Sequence, residues 1–167
     1  EENLAIAYLR ASKKQHAIFS RISKKEKEFF REQLSLLDMG MEDRMKNPVG
    51  LLSGGQRQAL TLLMATMVTP KILLLDEHTA ALDPKTAAKV LALTEKIVTR
   101  DSLTTLMITH NMRDALRYGN RLIMLHNGRV IIYVQGEGKQ NLQIPDLLAM
   151  FEKTSGSEMS SDRLLLG

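Results

Sequence analysis

Cysteine is absent from the 167 residues, so the chain is indifferent to redox state, which agrees with a reducing cytoplasm without requiring one. No run of about 18 apolar residues occurs, and nothing here is built to span a membrane as a helix. The start is Glu1, with no initiator methionine, charged leader or small-residue cleavage site; it does not read as a signal peptide, and the chain reads as cut from something longer. No internal repeat is visible. What remains is one domain's length of soluble globular composition, 44% hydrophobic and 25% charged, enough to bury a sizeable core. The net charge of +4 is modest. Lys13, Lys14, Lys24, Lys25 and Lys27 are interleaved with Glu26 and Glu28, as on a solvated helical face, so no nucleic-acid partner is expected.

Along the chain, apolar residues recur at helical spacing from Glu2 to about Gly40, with Leu4 beside Tyr8 and Phe30 beside Leu34. Ser53, followed at the third position by Gln56, is a capping box that opens a helix to roughly Val68, and Pro70 ends it. The period then changes. Ile72 to Leu75 is a short apolar run, as expected of a strand buried on both faces. Asp83 and Pro84 supply a cap and a first helical residue for a helix to about Arg100. Thr104 to Ile108 is a second buried strand, and the helix between them is long enough for a crossover between parallel strands. A short helix, Met112 to Tyr118, precedes a strand from Arg121 to Leu125. Asn127-Gly128 then turns the chain into a hairpin through Val134. Pro145 starts a last helix through Phe151. The Ser/Gly-rich segment after Lys153 reads as a mobile tail with a turn at Leu164 to Leu166. The order is a mainly helical first part followed by alternating strand and helix, hence α/β.

Three places carry chemistry. Ser53, Gly54, Gly55 and Gln56 open a helix whose N-terminal N–H groups and positive partial charge suit an anion, most simply a phosphate. Asp76 and Glu77 stand at the end of the first strand, where ligands of open parallel sheets collect. Asp76 can give an oxygen to Mg²⁺ that is otherwise held by nucleotide phosphates. Glu77, pointing elsewhere, can orient or deprotonate a water for attack on a phosphoryl group. Taken alone, an acidic pair can simply end a strand. His110, just past the second strand, can donate to a phosphate oxygen or hold the attacking water.

The ordered set Leu52-Ser53-Gly54-Gly55-Gln56, Ile72-Leu73-Leu74-Leu75-Asp76-Glu77, Ala81-Leu82-Asp83 and Ile108-Thr109-His110 resembles the nucleotide-binding subunit of ABC transporters. It matches that family's signature motif, Walker B with catalytic glutamate, D-loop and H-loop. The spacings of 23 residues from Ser53 to Asp76 and 34 from Asp76 to His110 also suit it. The likeness covers nearly all of residues 1 to 153. It implies a partial RecA-like P-loop NTPase core, mainly a parallel sheet with flanking helices, plus an α-helical subdomain. The division expected is 1–68 for the helical subdomain with the signature, 69–153 for the carboxy-terminal part of the core, and 154–167 for the tail. By the same likeness, two subunits sandwich two ATP molecules head to tail. Ser53, Gly54, Gly55 and Gln56 then grip the γ-phosphate of ATP held by the partner, and Asp83 crosses the interface. Glu77 is the general base, Asp76 the Mg²⁺ partner and His110 the γ-phosphate sensor. Loss of the γ-phosphate opens the pair. The resemblance implies transmembrane permease subunits on other chains, an external solute-binding protein, and a place on the cytoplasmic face of the membrane. Two departures stand out: His78 follows the glutamate where the family usually has proline, and Gln58-Ala59-Leu60-Thr61 replaces a commoner arginine-valine pattern.

A phosphate loop, G-x-x-x-x-G-K-[ST], does not occur. In the nearest imitation, Gly136-Glu137-Gly138-Lys139, Tyr133 stands where the first glycine belongs and Gln140 where the hydroxyl belongs, so this reads as a loop after the hairpin. The adenine-stacking aromatic and the glutamine loop of the family are missing too. Without the lysine and amide cradle, several charge-assisted contacts of about 1.5–3 kcal/mol each are lost, and the chain as written should bind ATP poorly and hardly hydrolyse it. The sheet should lack its first strands, and the apolar surface so exposed should favour self-association or strand exchange. Two other readings share these motifs. One is a non-catalytic module that completes a partner's ATP site. The other is a soluble ATPase of DNA repair or chromosome organisation, which would need long heptad arms that the stretch before Ser53 does not supply. The runs DEHTAALDP and THNMRDAL look like bacterial importer subunits for amino-acid-like solutes.

Overall fold

The computed structural model describes residues 1–12 and 22–155. Lys13 and Lys14, the helical pattern expected across 13–21, and the tail from 156 with its expected turn at Leu164 to Leu166 lie outside the described residues. The chain divides into two compact units, Glu1–Met107 and Ile108–Gly167.

The first unit is helical, with one pair of strands. α1 (Glu2–Ser12) and α2 (Lys24–Ser35) both pack on α3 (Gly54–Thr66), which in turn packs on α4 (Pro84–Arg100). Ser23 caps α2 in a reciprocal box with Glu26. The S-x-x-E spacing that encodes this box is present in the sequence at Ser23 to Glu26. Past α2, Gly40 takes a left-handed φ of +62° in the turn that leads to Met41, a conformation glycine adopts without the clash a Cβ would bring. Tyr8, Phe29 and Phe30 form a ring cluster with centroids 5.3–6.0 Å apart. Around them Leu4, Leu34, Leu37, Leu63, Leu73, Leu75 and Ile97 close one core. Burying each such side chain contributes about 1.5–3 kcal/mol.

β1 (Leu73–Asp76) and β2 (Thr105–Ile108) hydrogen-bond to each other as a two-stranded sheet, and Leu73 N donates to Thr104 O at 2.9 Å. The expectation that both strands are buried on both faces is not met. Successive strand side chains point to opposite faces. Leu73 and Leu75 enter the core, whereas Ile72, Leu74 and Leu106 are 52%, 65% and 50% exposed. The core of the first unit lies against the face that carries Leu73 and Leu75, and the other face is largely exposed.

The second unit starts at Ile108, the last residue of β2. Asn111 caps α5 (Met112–Arg117) by accepting from the N–H groups of Arg113 and Asp114. β3 (Arg121–His126) and β4 (Arg129–Gln135) pair antiparallel, with Leu122 opposite Val134 and Met124 opposite Ile132. Asn127 and Gly128 both take positive φ, 49° and 74°, the hairpin geometry their sequence signals. The register shifts between Met124 and Leu125, a bulge that no local pattern announced. α7 (Ile144–Ser155) lays Leu147 and Phe151 against Met112, Leu122 and Ile132.

Gly136 to Gln140 is not the plain loop expected. Gly136, at φ +57°, turns the chain out of β4 into a one-turn helix, α6 (Glu137–Gln140). That turn carries Lys139 into the interior, where Nζ donates to the carbonyls of Leu116, Tyr118 and Gly119 at 2.6, 2.8 and 3.0 Å. The ammonium thereby satisfies carbonyls at the C-terminal end of α5.

Candidate functional site

Ser53 is exposed and caps α3 in the predicted box: its Oγ accepts from Gln56 N at 3.3 Å while Gln56 Oε1 accepts from Ser53 N at 3.1 Å. Gln56 Nε2 also donates to Met39 O at 3.3 Å. The Gln56 carboxamide therefore acts as a brace, tying the helix start to the turn after α2. What faces outward is the Ser53 hydroxyl, with its own proton free to be donated, beside first-turn N–H groups that the helix itself cannot bond. This is an anion-ready end on a 13-residue helix.

Gly54 and Gly55 place that end against the segment after β1. A Cβ on Gly54 would lie 3.1 Å from Leu82, and one on Gly55 would lie 2.2 Å from the Thr86 methyl. The two glycines therefore let the start of α3 press onto the start of α4. Asp83 sits at that junction, exposed, capping α4 by accepting from Thr86 N at 3.1 Å. Hydrogen bonds from the Thr86 hydroxyl and then its N–H hold the Asp83 carboxyl below its ordinary pKa, so it is anionic at neutral pH. The first unit thus brings together Ser53, Gly54, Gly55, Gln56 and Asp83. Thr86 and Met39, which complete the junction with Leu82, carry no signal in the sequence, because their partners are remote along the chain.

Asp76 ends β1 with an exposed side chain. Glu77 follows in the left-handed region at φ +42°, a conformation disfavoured for a residue with a Cβ. His78 Nε2 lies 3.2 Å from Thr94 Oγ1 on α4. Two short turns, Glu77 O to Ala80 N at 3.0 Å and Thr79 O to Leu82 N at 3.1 Å, carry the chain on to Asp83. Among the described residues no group of three or more histidine, aspartate or glutamate side chains could hold a metal by itself. Asp76 presents a single exposed carboxylate at the strand end.

His110 belongs to the second unit. It is exposed, next to Thr109, whose Oγ1 accepts from Asn111 N at 3.1 Å at the start of α5. A shallow cleft in the same unit, lined by Arg113, Leu116, Arg117 and Pro145, contains none of the residues named from sequence.

An outward helix N-terminus is thus pressed against an acidic loop that leaves a strand tip. Among solved structures, the ATP-binding cassette MJ0796, solved as a dimer in a post-hydrolysis state bound to ADP and Pi, aligns with a TM-score of 0.61 over 80% of this chain and 56% of that one, at 28% identity. Residues 2–80 match the family model described as ABC transporter. A tyrosine transport ATP-binding protein of Clostridioides difficile (strain R20291) is 57% identical over 62% of this chain and 41% of its own. The methionine import ATP-binding protein MetN of Streptococcus pneumoniae serotype 4 (strain ATCC BAA-334 / TIGR4) is 39% identical over 78% of this chain and 34% of its own. In these comparisons the chain is similar to ABC transporter ATP-binding proteins, and it spans 41% and 34% of the lengths of these two curated relatives.

Proposed function

We propose that this chain is the signature and Walker B portion of the ATP-binding subunit of a bacterial ABC importer, in which ATP-driven closure of two subunits energises uptake of an amino-acid-like solute. The single observation that carries this reading is the junction of α3 and α4. There an exposed Ser53 at a braced helix N-terminus and an anionic Asp83 share one surface, held together by a close approach for which Gly55 leaves the room and Gly54 eases the fit. A surface with both a phosphate-binding end and an interfacial carboxylate suits a nucleotide pocket completed by a second copy.

In that pocket the Ser53 hydroxyl and the first-turn amides of α3 would receive the γ-phosphate of ATP bound by the partner. Asp76 would hold Mg²⁺ through one oxygen, and the ion would neutralise phosphate charge when bound. Glu77 would accept the proton of the attacking water, and His110 would contact the γ-phosphate. Residues 1–68 would serve as the helical subdomain, 69–153 as part of the ATPase core and 154–167 as a tail. The remaining partners would be permease subunits in the membrane, with the ATPase on its cytoplasmic face, and an external solute-binding protein. No described helix is long and apolar enough to cross a membrane, which agrees with permease helices carried by other chains.

The test is ATP turnover by the complete gene product with and without Glu77→Gln. Turnover should fall by roughly 10²–10⁴-fold while ATP binding is retained. Unchanged turnover in that variant would remove the base assignment, and absence of turnover in the parent would favour a non-catalytic module.

A further inference from the structure

We infer that His78 is a positioning residue for Glu77, fixing the direction of its carboxylate through a hydrogen bond to Thr94 of α4. The inference rests on the reading of Glu77 as the base.

Glu77 occupies a left-handed conformation at φ +42° without being glycine. Such a residue persists only where its neighbours over-determine it. On its N-terminal side it is held by β1, whose Leu75 is in the core. On its C-terminal side the next residue is His78, half-buried, with Nε2 3.2 Å from Thr94 Oγ1.

Thr94 is 6% exposed, and its hydroxyl donates to Val90 O at 2.9 Å. A hydroxyl has one proton. With that proton directed to Val90, the Thr94 oxygen accepts, and His78 Nε2 must carry the hydrogen. The contact therefore has a fixed polarity, from the loop to the helix. α4 is a firm anchor: it is 17 residues long, and Val90, Leu91, Leu93 and Ile97 on it are buried. Released from Thr94, residue 78 would be free to rotate, and Glu77 could relax toward an ordinary φ. That relaxation would swing the carboxylate away from its present direction while leaving Asp76, Ser53 and Asp83 where they are.

Steady-state kinetics of the complete ATPase test this with His78→Ala, His78→Gln, Thr94→Val, Thr94→Ser and the His78→Ala/Thr94→Val double variant. The expected result is a fall in kcat of about tenfold or more for His78→Ala and for Thr94→Val with KM for ATP unchanged, since a misplaced group costs rate rather than substrate affinity. The double variant should be no worse than either single change. Gln, which keeps an N–H near the Nε2 position, and Ser, which keeps the hydroxyl, should each recover most of the loss. An unaltered kcat in His78→Ala, multiplied losses in the double variant, or failure of both rescues would overturn the inference. If His78→Ala does not fold, Thr94→Val against Thr94→Ser decides by the same criteria. Glu77→Gln separates the two readings: turnover that survives it overturns the base assignment, whereas turnover lost with it but intact in His78→Ala overturns the positioning role alone.

Discussion

At Gly55 the absence of a side chain is a packing requirement and not a matter of backbone freedom. The residue is buried in the first turn of α3, and an added Cβ would sit 2.2 Å from the Thr86 methyl. Thr86 cannot easily yield. It is β-branched, with few rotamers open to it, and its N–H and hydroxyl both bond the Asp83 carboxylate. Alanine improves helix propensity by up to about 1 kcal/mol over glycine, but overpacking costs about 1–3 kcal/mol, so the clash wins. Gly55→Ala should lower the stability of the chain in urea unfolding by about 1 kcal/mol net. Thr86→Ser deletes the offending methyl while keeping the hydroxyl. In that background Gly55→Ala should be neutral or stabilising, a non-additivity that identifies the contact. Gly54, whose Cβ would meet Leu82 at 3.1 Å, has a softer partner and should tolerate alanine better. Both glycines read from sequence as room for a phosphate; the structure shows that they also make room for the neighbouring helix.

Among the elements, α6 has the least sequence signal and the most specific anchor. Burial pushes the Lys139 ammonium below its ordinary pKa, yet three carbonyls at the end of α5 accept from it. Lys139→Met would keep the buried stem and strand those carbonyls. It should destabilise the second unit by roughly 1.5–3 kcal/mol, seen as earlier loss of amide-exchange protection in β3 and β4 than in α3. What could be read from the sequence here follows the range of the signal. The box at Ser53 and Gln56, the Asp83-Pro84 start and the Asn127-Gly128 turn each lie within four residues, and each forms as written. The Ser23 and Glu26 box is equally local and was legible in principle. By contrast, the burial of Lys139 depends on carbonyls of residues 116–119, and the seating of Gly55 depends on Thr86. No periodicity encodes such pairs. The four motifs were legible as candidates; the brace from Gln56 to Met39 and the tie from His78 to Thr94 were not, because each joins distant segments.

At the scale of the whole molecule, the apolar run Ile72 to Leu75 promised a strand with two covered faces, and only one is covered. A run of this kind reports that both faces are apolar, not that both are occupied. The uncovered face presents Ile72, Leu74 and Leu106 at half exposure or more. In the second unit Ile123, Leu125, Val130 and Tyr133 are likewise half exposed or more on the hairpin. Single exposed leucines are ordinary, but apolar side chains adjoining on paired short strands mark a surface that associates. A net charge of +4 is too small to hold copies apart at physiological salt, where the screening length is about 8 Å. The chain as given should therefore associate with rising concentration, and its weight-average sedimentation coefficient should climb through the micromolar range. Leu74→Lys with Leu106→Glu places one charge of each sign on that face and leaves the net charge at +4. Both side chains point away from the core, so the helix content and melting temperature of the pair variant should stay near those of the parent. Its sedimentation coefficient should stay constant over the same range. Equal association of parent and variant would assign the contact to the hairpin face instead, where Leu125→Lys with Tyr133→Glu would then be the effective pair.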